Sequence, residues 1–402
     1  MKRRFTKLIP LEEAKKIALS NTEPLEEKER VGLLFSSGRV LTEDVKAKFD
    51  VPLFDKSAMD GYALRAEDTG KASKSNRVKL RCKGTLYAGD LGEIEVEPGT
   101  CVKIATGAKL PPNANAVVRL ENVKANGSIV ELFERVLPQR DLIERGADIK
   151  KGGLLLKKGE VLTPPKVGSL ASLGIAEIEV YKKPRVFIVS SGNEVKKIDE
   201  KIEEGEVYDT NSYSLASLVK NCGGDPMLSP PVKDDEKEVE KAIENAPIDA
   251  DLLIMTGGSS VGEKDLIPDV VSKLGHVFFH GVKIRPGMPT LFGEIKDKLI
   301  FGLPGYPTSC VVSSYQLVSP VIKKLAHLPH EPKTVEARLA KRYESFGKRR
   351  QLLPVKLDNG LAYPAFKGAG AITSTAHADG WIEVPEDAGV VEEGEEVEVT
   401  LW

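Results

Sequence analysis

A glycine-rich turn that follows a short apolar run carries the strongest chemical signal in the chain. The run Leu252–Met255 is typical of a buried strand. After it come small and flexible residues, and then charged residues that open a helical pattern: Thr256, Gly257, Gly258, Ser259, Ser260, Gly262, Glu263, Lys264 and Asp265. Such a turn exposes backbone N–H groups at a helix N-terminus, where they favour phosphate or another oxyanion. The pattern predicts an anion site, with an ordinary strand-to-helix turn as the alternative.

A second group of polar residues lies in the segment 52–65, which is too irregular for a plain strand. It contains Asp55, Lys56, Ser57, Asp60 and Arg65. One interpretation is a solvated loop with an Asp-Gly turn. The other is a surface loop that offers carboxylates and hydroxyls to a ligand. The segment by itself leaves both interpretations open.

Length and composition limit the class of protein. A chain of 402 residues is too long for one hydrophobic core and predicts two to four domains. No segment approaches the roughly 20 apolar residues that span a bilayer, and acidic residues soon interrupt the basic N-terminus, so we expect neither a membrane span nor a signal peptide. A net charge of −2 gives no reason to expect nucleic-acid or membrane binding. The four widely spaced cysteines favour reduced thiols in a cytoplasmic protein.

The sequence pattern changes from helical to β-type within the first 150 residues. Helical spacing predicts a helix over residues 9–20 and a second, short helix over residues 28–37 that ends near Gly38. From Val40 to about Lys150, short apolar runs separated by Gly and Pro predict a compact β-rich domain. These runs are Val78–Cys82, Ile94–Val96, Cys101–Ile104, Ala116–Arg119 and Ser128–Phe133.

From Pro184 onwards, strands alternate with helices, which predicts a mostly parallel sheet covered on both faces. The predicted helix at residues 234–245 is introduced by a capping Asp. Ligands of such sheets bind where the strands end. Three loops of this chain carry ligand-type residues at that edge: 190–194, 256–265 and 302–307. After Pro329 the pattern returns to β and predicts a small barrel or sandwich of about 70 residues.

Taken together with these loops, the segment 52–65 resembles the molybdopterin molybdenumtransferases, the MoeA family, which includes the gephyrin E domain. Matching segments are Ala105–Ala108, Arg145–Ile149, Ser191–Glu194, Tyr208–Asn211, Gly257–Asp265 and Leu303–Pro307. The resemblance covers essentially the whole chain and implies an elongated, multidomain α/β plus β protein. Its parts would be a three-layer α/β molybdopterin-binding-like domain (1–27 and 171–327), a linking domain (28–46 and 147–170), a β-rich domain (47–146) and a C-terminal β-barrel (328–402).

The resemblance also implies a reaction in molybdenum cofactor biosynthesis. Family members take adenylylated molybdopterin and molybdate, hydrolyse the phosphate–AMP linkage and insert the metal into the dithiolene. We therefore expect Mg²⁺ or another divalent cation as cofactor, and molybdate or tungstate as the substrate oxyanion. We also expect a cytoplasmic homodimer whose active site lies between the α/β domain and a β-domain of the partner subunit. The molybdopterin adenylyltransferase and recipient molybdo- or tungsto-enzymes would be its further partners.

By the same resemblance, the expected catalytic residues are Asp60, Thr106, Asp148, Glu194 and Asp265. Asp234, Asp265 and Glu194 would be the metal ligands, because ions that offset phosphoanhydride charge take carboxylate ligands. The expected cofactor-binding residues are Ser57, Asn211, Thr256, Gly257, Gly258, Ser260, Gly262, Lys264, Arg285, Pro304, Gly305, Pro307 and Ser309. Thr106 and Ser260 would donate hydroxyl hydrogen bonds to ligand oxygens.

Four residues in that set also have a structural interpretation. Asp234 could cap the helix that follows it, and Asn211 could cap its own helix instead of contacting the pterin. Asp148 could be a turn residue in a glycine-rich connection. Asp265 could supply simple charge at a helix start.

The chain departs from the family pattern at three positions that bear on the oxyanion. Met288 replaces one of two basic residues that usually flank Pro-Gly, whereas Arg285 keeps the other charge. Tyr306 stands where many relatives have Asn, and Asn193 stands where an acidic residue is usual. These changes could weaken molybdate binding, favour tungstate or reduce activity. Two other functions remain open: molybdopterin adenylyl transfer, by shorter proteins that share the α/β domain, and a non-enzymatic dimeric scaffold of the same fold.

Overall fold

The computed structural model describes residues 8–91, 93–257, 266–345 and 349–402. The chain divides into two compact units. The first comprises residues 1–30, 38–40 and 179–402, and the second comprises residues 31–37 and 41–178. The predicted fold class, a multidomain α/β plus β protein, is confirmed.

A six-stranded sheet is the centre of the first unit. Its first four strands are parallel, and two antiparallel strands complete one edge. In spatial order the strands are Asp225–Leu228, Arg185–Ser190, Leu252–Thr256, Lys298–Leu303, Leu291–Ile295 and His276–His280. The parallel strands are joined by helices, as their right-handed crossovers require. The helices of this unit are Leu11–Ser20, Thr210–Asn221, Glu236–Glu244, Leu266–Leu274, Pro307–Ser313, Ser319–Leu325 and Thr373–Ala376.

Alternating side chains of the central strands enter two separate hydrophobic cores. Ile188 and Ile254 pack in one core with Leu215 of the helix Thr210–Asn221. Their neighbours Val189 and Met255 pack in the other core, with helices on the opposite face. Because successive side chains of a strand point to opposite faces, near-continuous apolar runs are what a sheet covered on both sides needs. This arrangement is the predicted three-layer α/β architecture.

The C-terminal part of the first unit is a closed barrel. The strand Arg350–Asp358 pairs with Leu361–Pro364 on one side and with Gly380–Val384 on the other, which closes the ring. The remaining strands of the ring are Thr334–Leu339 and Glu396–Leu401. A short strand from the α/β part, Ile284–Arg285, is added to the sheet beside Arg350 and Gln351. Closure leaves no free edge in the ring and surrounds a small apolar core.

The second unit is built on another six-stranded sheet. In spatial order its strands are Ala116–Arg119, Gly61–Leu64, Thr100–Ile104, Val78–Leu86, Ile129–Leu132 and Val123–Asn126. The unit also holds the helix Pro164–Ser172, the 3₁₀ turns Leu33–Phe35, Ala66–Thr69 and Leu120–Asn122, and short strand pairs. These pairs are Lys56–Ser57 with Leu142–Ile143 and Val45–Lys46 with Leu154–Leu156.

Two local predictions are wrong. Residues 28–37 do not form a helix: Lys28–Gly32 is a strand that pairs with Glu177–Tyr181, and Leu33–Phe35 is a 3₁₀ turn. Gly32 weakens a helix at this point, and the distant partner strand satisfies the backbone instead. Residues 94–96 form no strand, because Val96 donates its N–H to Pro112 in an isolated bond. In the part of the chain that the structure describes, no helix has the length and apolarity to cross a membrane.

Candidate functional site

The parallel strands of the first unit deliver three of the predicted loops to one edge of the sheet. Ser190 lies opposite Thr256, and Thr256 lies opposite Leu303, at the carboxyl ends of their strands. Parallel strands that end together leave a crevice at this edge, which is where ligands of open α/β sheets bind. The loops that begin at Ser191, Gly257 and Pro304 are therefore neighbours.

Asn211 joins two of these loops. Its Nδ2 donates to Thr256 Oγ1 at 2.8 Å and to the carbonyl of Gly305, also at 2.8 Å. Asn211 is 8 % exposed, and it is the second residue of the helix Thr210–Asn221. The cap of that helix is Asp209, which accepts a hydrogen bond from Ser212 N. The capping interpretation of Asn211 is thus wrong: its amide binds the ends of two strands together.

The backbone at Gly257 approaches its neighbours too closely for any other residue. Gly257 has a positive φ of 96°, and a Cβ there would lie 2.0 Å from the carbonyl oxygen of Ser191. A Cβ on Gly305 would in turn lie 3.4 Å from Gly257 Cα. Glycine at 257 is needed for both reasons, because only glycine adopts this conformation without a steric cost. The three loop starts are therefore in direct backbone contact.

A buried carboxylate that the sequence did not reveal anchors this edge. Asp209 is 5 % exposed and accepts a hydrogen bond of 2.6 Å from Ser190 Oγ, at the end of the strand Arg185–Ser190. The same carboxylate caps the helix Thr210–Asn221. A signal was available, since Asp before Thr-Asn-Ser is a common helix start. Its bond to Ser190 depends on the tertiary fold.

Four buried polar atoms in this region have no hydrogen-bond partner among the residues that the structure describes. They are Ser191 Oγ, Asn211 Oδ1, Ser212 Oγ and Asp234 Oδ1. Buried polar groups in native proteins are almost always paired, because an unpaired one costs about 1–3 kcal/mol. All four lie in loops or at a helix start that follow the strands of the central sheet. Unpaired buried groups of this kind can be satisfied by a bound ligand or by ordered water.

Two predicted metal ligands, Asp234 and Glu194, lie in adjacent loops. Asp234 donates its N–H to Asn193 Oδ1 at 3.3 Å, and Ser191 forms a bridge with Val232. The carboxylate of Glu194 folds back over Gly192, where a Cβ would lie 3.1 Å from Glu194 Oε2. The loops 191–194 and 232–234 therefore pack side by side.

Asp234 is not the helix cap. The helix begins at Glu236, and its cap is Asp235, which accepts hydrogen bonds from Lys237 N at 3.0 Å and Glu238 N at 3.3 Å. The predicted start at Asp234 is thus wrong by two residues. The carboxylate of Asp234 is left available for another partner.

The loop that carries Arg285 and Met288 is held by its backbone. The carbonyl of Met288 accepts hydrogen bonds from Val282 N and Thr290 N, both at 2.9 Å. A Cβ on Gly287, whose φ is 112°, would lie 2.2 Å from Ser313 Oγ. The side chain of Arg285 is exposed, and that of Met288 is half-buried. The cation of Arg285 therefore lies on a turn that backbone contacts hold in place, and Met288 on the same loop is uncharged.

The segment Pro304–Ser309 contacts the C-terminal part of the same unit. Thr308 donates its N–H to the carbonyl of Ala369 and its hydroxyl to the carbonyl of Ala371, both at 3.0 Å. Pro307 is the first residue of a helix, and Ser309 is buried within that helix. Tyr306 is 66 % exposed, and a Cβ on Gly370 would lie 3.4 Å from its ring. Pro304, Gly305 and Pro307 thus shape a turn at the sheet edge, where Tyr306 faces solvent.

In the second unit, Asp60 and Thr106 form a close pair. Asp60 Oδ1 accepts hydrogen bonds from Thr106 N at 2.7 Å and from Thr106 Oγ1 at 2.9 Å. These two donors, the backbone N–H first, hold the pKa of Asp60 below its usual value. Asp60 and Thr106 are both exposed. The hydroxyl proton that was expected to reach a ligand is directed to Asp60 here.

The loop of Asp148 is fixed by two aspartates from the segment before it. Asp50 accepts hydrogen bonds from Arg145 Nε at 2.6 Å and from Lys151 N at 2.7 Å, and Asp55 accepts one from Arg145 N at 2.7 Å. Asp148 itself is exposed and donates its N–H to Val51. A structured loop therefore presents the Asp148 carboxylate to solvent.

Ser57 is buried, and its hydroxyl donates to the carbonyl of Met59 at 2.5 Å. This bond shapes the turn that leads to Asp60. Five predicted residues of the glycine-rich turn lie outside the described residues: Gly258, Ser260, Gly262, Lys264 and Asp265. Within the described ranges, no group of three or more His, Cys, Asp or Glu side chains could hold a metal ion.

Comparison with known proteins agrees with this architecture. The chain matches the MoeA N-terminal region (domain I and II) over residues 9–174 and the probable molybdopterin binding domain over residues 187–324. It also matches the MoeA C-terminal region (domain IV) over residues 336–402. Together these matches account for most of the chain.

Similar proteins and solved structures cover nearly the full length. A molybdopterin biosynthesis protein of Methanocaldococcus jannaschii is 39% identical, over 98% of both chains. The molybdopterin molybdenumtransferase of Bacillus subtilis is 34% identical, over 98% of this chain and 94% of its own. A crystal structure of MoeA from Pyrococcus horikoshii has a TM-score of 0.85 and 39% identity, over 98% of this chain and 99% of that one. The protein is therefore an enzyme, a transferase, and belongs to the MoeA family of molybdopterin molybdenumtransferases.

Proposed function

We propose that this protein inserts molybdate or tungstate into adenylylated molybdopterin and releases AMP. One observation carries the proposal: unpaired polar atoms gather where the strands of the α/β sheet end. Ser191 Oγ and Ser212 Oγ can donate to phosphate or oxometalate oxygens, and Asn211 Oδ1 can accept from a pterin amino group. A nucleotide with a pterin offers partners for all of them.

A divalent cation fits the same edge. Asp234 Oδ1 is buried without a partner among the described residues, and the Glu194 carboxylate lies one loop away. Carboxylate oxygens are the ligands that Mg²⁺ prefers, and Asp234 and Glu194 would hold it together with Asp265. When bound, the ion offsets the charge of the phosphoanhydride oxygens. Asn193 would contribute an amide oxygen where relatives offer a carboxylate.

The residues of the second unit supply a fixed anion to the reaction. Two hydrogen bonds from Thr106 lower the pKa of Asp60 further below neutral pH and hold one of its oxygens in place. The other oxygen, Oδ2, is available to accept a proton from the attacking water. Asp148 would add a second carboxylate beside the phosphates. Water then cleaves the phosphoanhydride, AMP leaves, and the oxyanion held near Arg285 can meet the dithiolene.

We propose that two copies of the chain build each active site, with the second unit of one copy against the α/β unit of the other. The loop before Asp60 exposes the apolar side chains of Leu53, Phe54 and Met59. Exposed apolar groups beside a charged catalytic residue are typical of a surface that another chain covers. A cytoplasmic location belongs to the same proposal, since all four cysteines are free thiols. An adenylyltransferase would supply the substrate, and molybdo- or tungsto-enzymes would receive the product.

An assay with purified components tests the reaction. The protein is incubated with adenylylated molybdopterin, Mg²⁺ and molybdate, AMP is quantified, and the product is offered to an apo-molybdoenzyme. We expect AMP release and a reconstituted enzyme. Folded protein that releases no AMP and reconstitutes nothing would refute the proposal.

The same assay separates the two other functions. ATP-dependent adenylyl transfer to bare molybdopterin would indicate an adenylyltransferase. A folded dimer that binds no pterin nucleotide would indicate a scaffold. Neither result is expected, because full-length relatives in this family carry the name molybdopterin molybdenumtransferase.

A further inference from the structure

A cavity of about 600 Å³ lies in the first unit between the helices and the C-terminal barrel, and its lining includes none of the site residues discussed above. This volume is within the range of small-molecule sites, roughly 300–1,000 Å³. The helical side contributes Leu218, Cys222, Tyr315 and Gln316. The barrel contributes Trp381 and Trp402.

Three aromatic rings form an apolar wall of this cavity. The ring centroids of Trp381 and Trp402 are 4.8 Å apart, as are those of Tyr315 and Trp402, and the Tyr315 and Trp381 centroids are 5.8 Å apart. Trp402 Nε1 donates to the carbonyl of Ala378 at 2.9 Å, which fixes the orientation of that indole. Fixed rings in a concave surface bind flat apolar groups well, because little side-chain freedom is lost on binding.

Gln316 places a side-chain amide at the same cavity, and a second donor lies close by. Gln316 is only 4 % exposed, and the buried Nε1 of Trp381 has no hydrogen-bond partner among the described residues. Gln316 lies in a π-helical turn, Ser314–Val318, between the helices Pro307–Ser313 and Ser319–Leu325. π-helical turns are rare and often occur at functional sites. A buried donor without a partner at a cavity calls for one from a ligand or ordered water.

Positive charge dominates at the rim. Lys323 and Lys333 line the cavity, and neither forms an ion pair with any described residue. Burial raises the pKa of the Cys222 thiol, and the nearby positive charge of Lys323 lowers it. Of the two acidic lining residues, Glu383 is paired with Arg350 at 3.1 Å. Glu331 is exposed.

We propose that this cavity is a second ligand site, distinct from the molybdopterin site, for a small aromatic carboxylate. The ring would lie against Trp381, Trp402 and Tyr315. The carboxylate would face Lys323, with Gln316 as its hydrogen-bond donor. This inference does not depend on the proposed reaction.

The two tryptophans make a direct test available, since they are the only two in the chain and both line the cavity. Full-length protein with ¹⁵N-labelled tryptophan gives two indole N–H signals, which a Trp381→Phe variant assigns. The protein is titrated with benzoate, phenylacetate and 3-phenylpropionate. We expect saturable shifts of both signals with at least one of these acids. Phenylacetamide and acetate, which lack the charge and the ring respectively, should bind more weakly.

Two variants test the assigned contacts. Lys323→Gln should weaken the affinity of the best acid about fivefold. Gln316→Leu should also weaken it, since the proposed hydrogen-bond donor to the carboxylate is removed. Both variants should release AMP at the wild-type rate if the enzyme is active. The proposal is overturned if none of the three acids shifts the indole signals of the folded protein, or if Lys323→Gln and Gln316→Leu bind the acid as tightly as the wild type.

Discussion

Asp60 and Thr106, forty-six positions apart in the chain, are joined twice at a single oxygen. The backbone N–H and the hydroxyl of Thr106 both donate to Asp60 Oδ1, at 2.7 and 2.9 Å. Both bonds favour the ionised carboxylate and lower its pKa. The pair therefore presents a fixed carboxylate with one oxygen free, at the exposed edge of the second unit.

Replacing Thr106 by Val removes the hydroxyl bond and leaves the backbone bond. Asp60 then loses part of what favours its charged form, so its pKa should rise towards the usual value. In the proposed mechanism the carboxylate form is the active one, so the acid limb of the AMP-release pH profile should move to higher pH. At neutral pH the Asp60 carboxylate stays ionised in both proteins, so the rate there should change by less than about threefold. Thr106→Ser keeps both donors and should match the wild type; an equal shift in both variants would exclude the hydroxyl bond as the cause.

Asn211→Ala removes the side-chain amide that bridges Thr256 and Gly305. Two hydrogen bonds of a buried amide are lost, and Thr256 Oγ1 and the Gly305 carbonyl are left without that donor. We expect a loss of about 1–3 kcal/mol in the free energy of unfolding, together with a higher KM for the pterin nucleotide. Urea unfolding and steady-state AMP release measure the two effects. Thr256→Ser retains its hydroxyl and serves as the matched control. An Asn211→Ala protein as stable as this control would show that the two hydrogen bonds do not stabilise the fold.

The neighbouring residues Asp234 and Asp235 offer a paired test of metal binding. Mg²⁺ bound to the native state should raise the melting temperature of the wild type as its concentration increases. Asp234→Ala should abolish this response, because its buried carboxylate oxygen has no partner in the described part of the chain. Asp235→Ala should lower stability by about 1 kcal/mol through loss of the helix cap and keep the Mg²⁺ response. If Asp234→Ala still responds to Mg²⁺ as the wild type does, Asp234 is not a ligand.

Met288 tests the choice of oxyanion. Its carbonyl bonds fix the loop, so a lysine side chain can be introduced without moving the backbone. Met288→Lys adds a cation near Arg285 and should lower the half-saturating molybdate concentration about fivefold. The comparison requires AMP release at graded molybdate and tungstate concentrations, with Met288→Leu as the neutral control. The same dependence on both oxyanions in all three proteins would remove Met288 from any role in selectivity.

Regular elements were predictable wherever local pattern and tertiary context agree. The strand Ala116–Arg119 has the predicted bounds, and the strand Thr100–Ile104 begins one residue before the predicted run, because each is a short apolar run bounded by turn residues. The segment 28–37 was predicted wrongly because its fate depends on a partner strand about 150 residues away. The strand Leu291–Ile295 was missed for a similar reason, since its place in the sheet is set by its two neighbours.

The candidate site was also predictable only in part. Which residue types lie at the sheet edge followed from the order of strands and loops. The bonds among them did not, because Asn211 reaches Gly305 over ninety-four positions and Asp209 reaches Ser190 from the start of a helix. Single-sequence patterns report neighbours within a turn or a strand and contain no information on such pairs.

AMP release coupled to metal insertion is the most direct measurement. Full-length protein is mixed with adenylylated molybdopterin, Mg²⁺ and molybdate, and AMP and inserted molybdenum are quantified in the same samples over time. The proposed mechanism predicts that AMP and molybdenum cofactor appear together in equal amounts, and that Asp60→Asn and Asp234→Asn abolish both. Folded wild-type protein that leaves the phosphoanhydride intact, with both metals present, would contradict it.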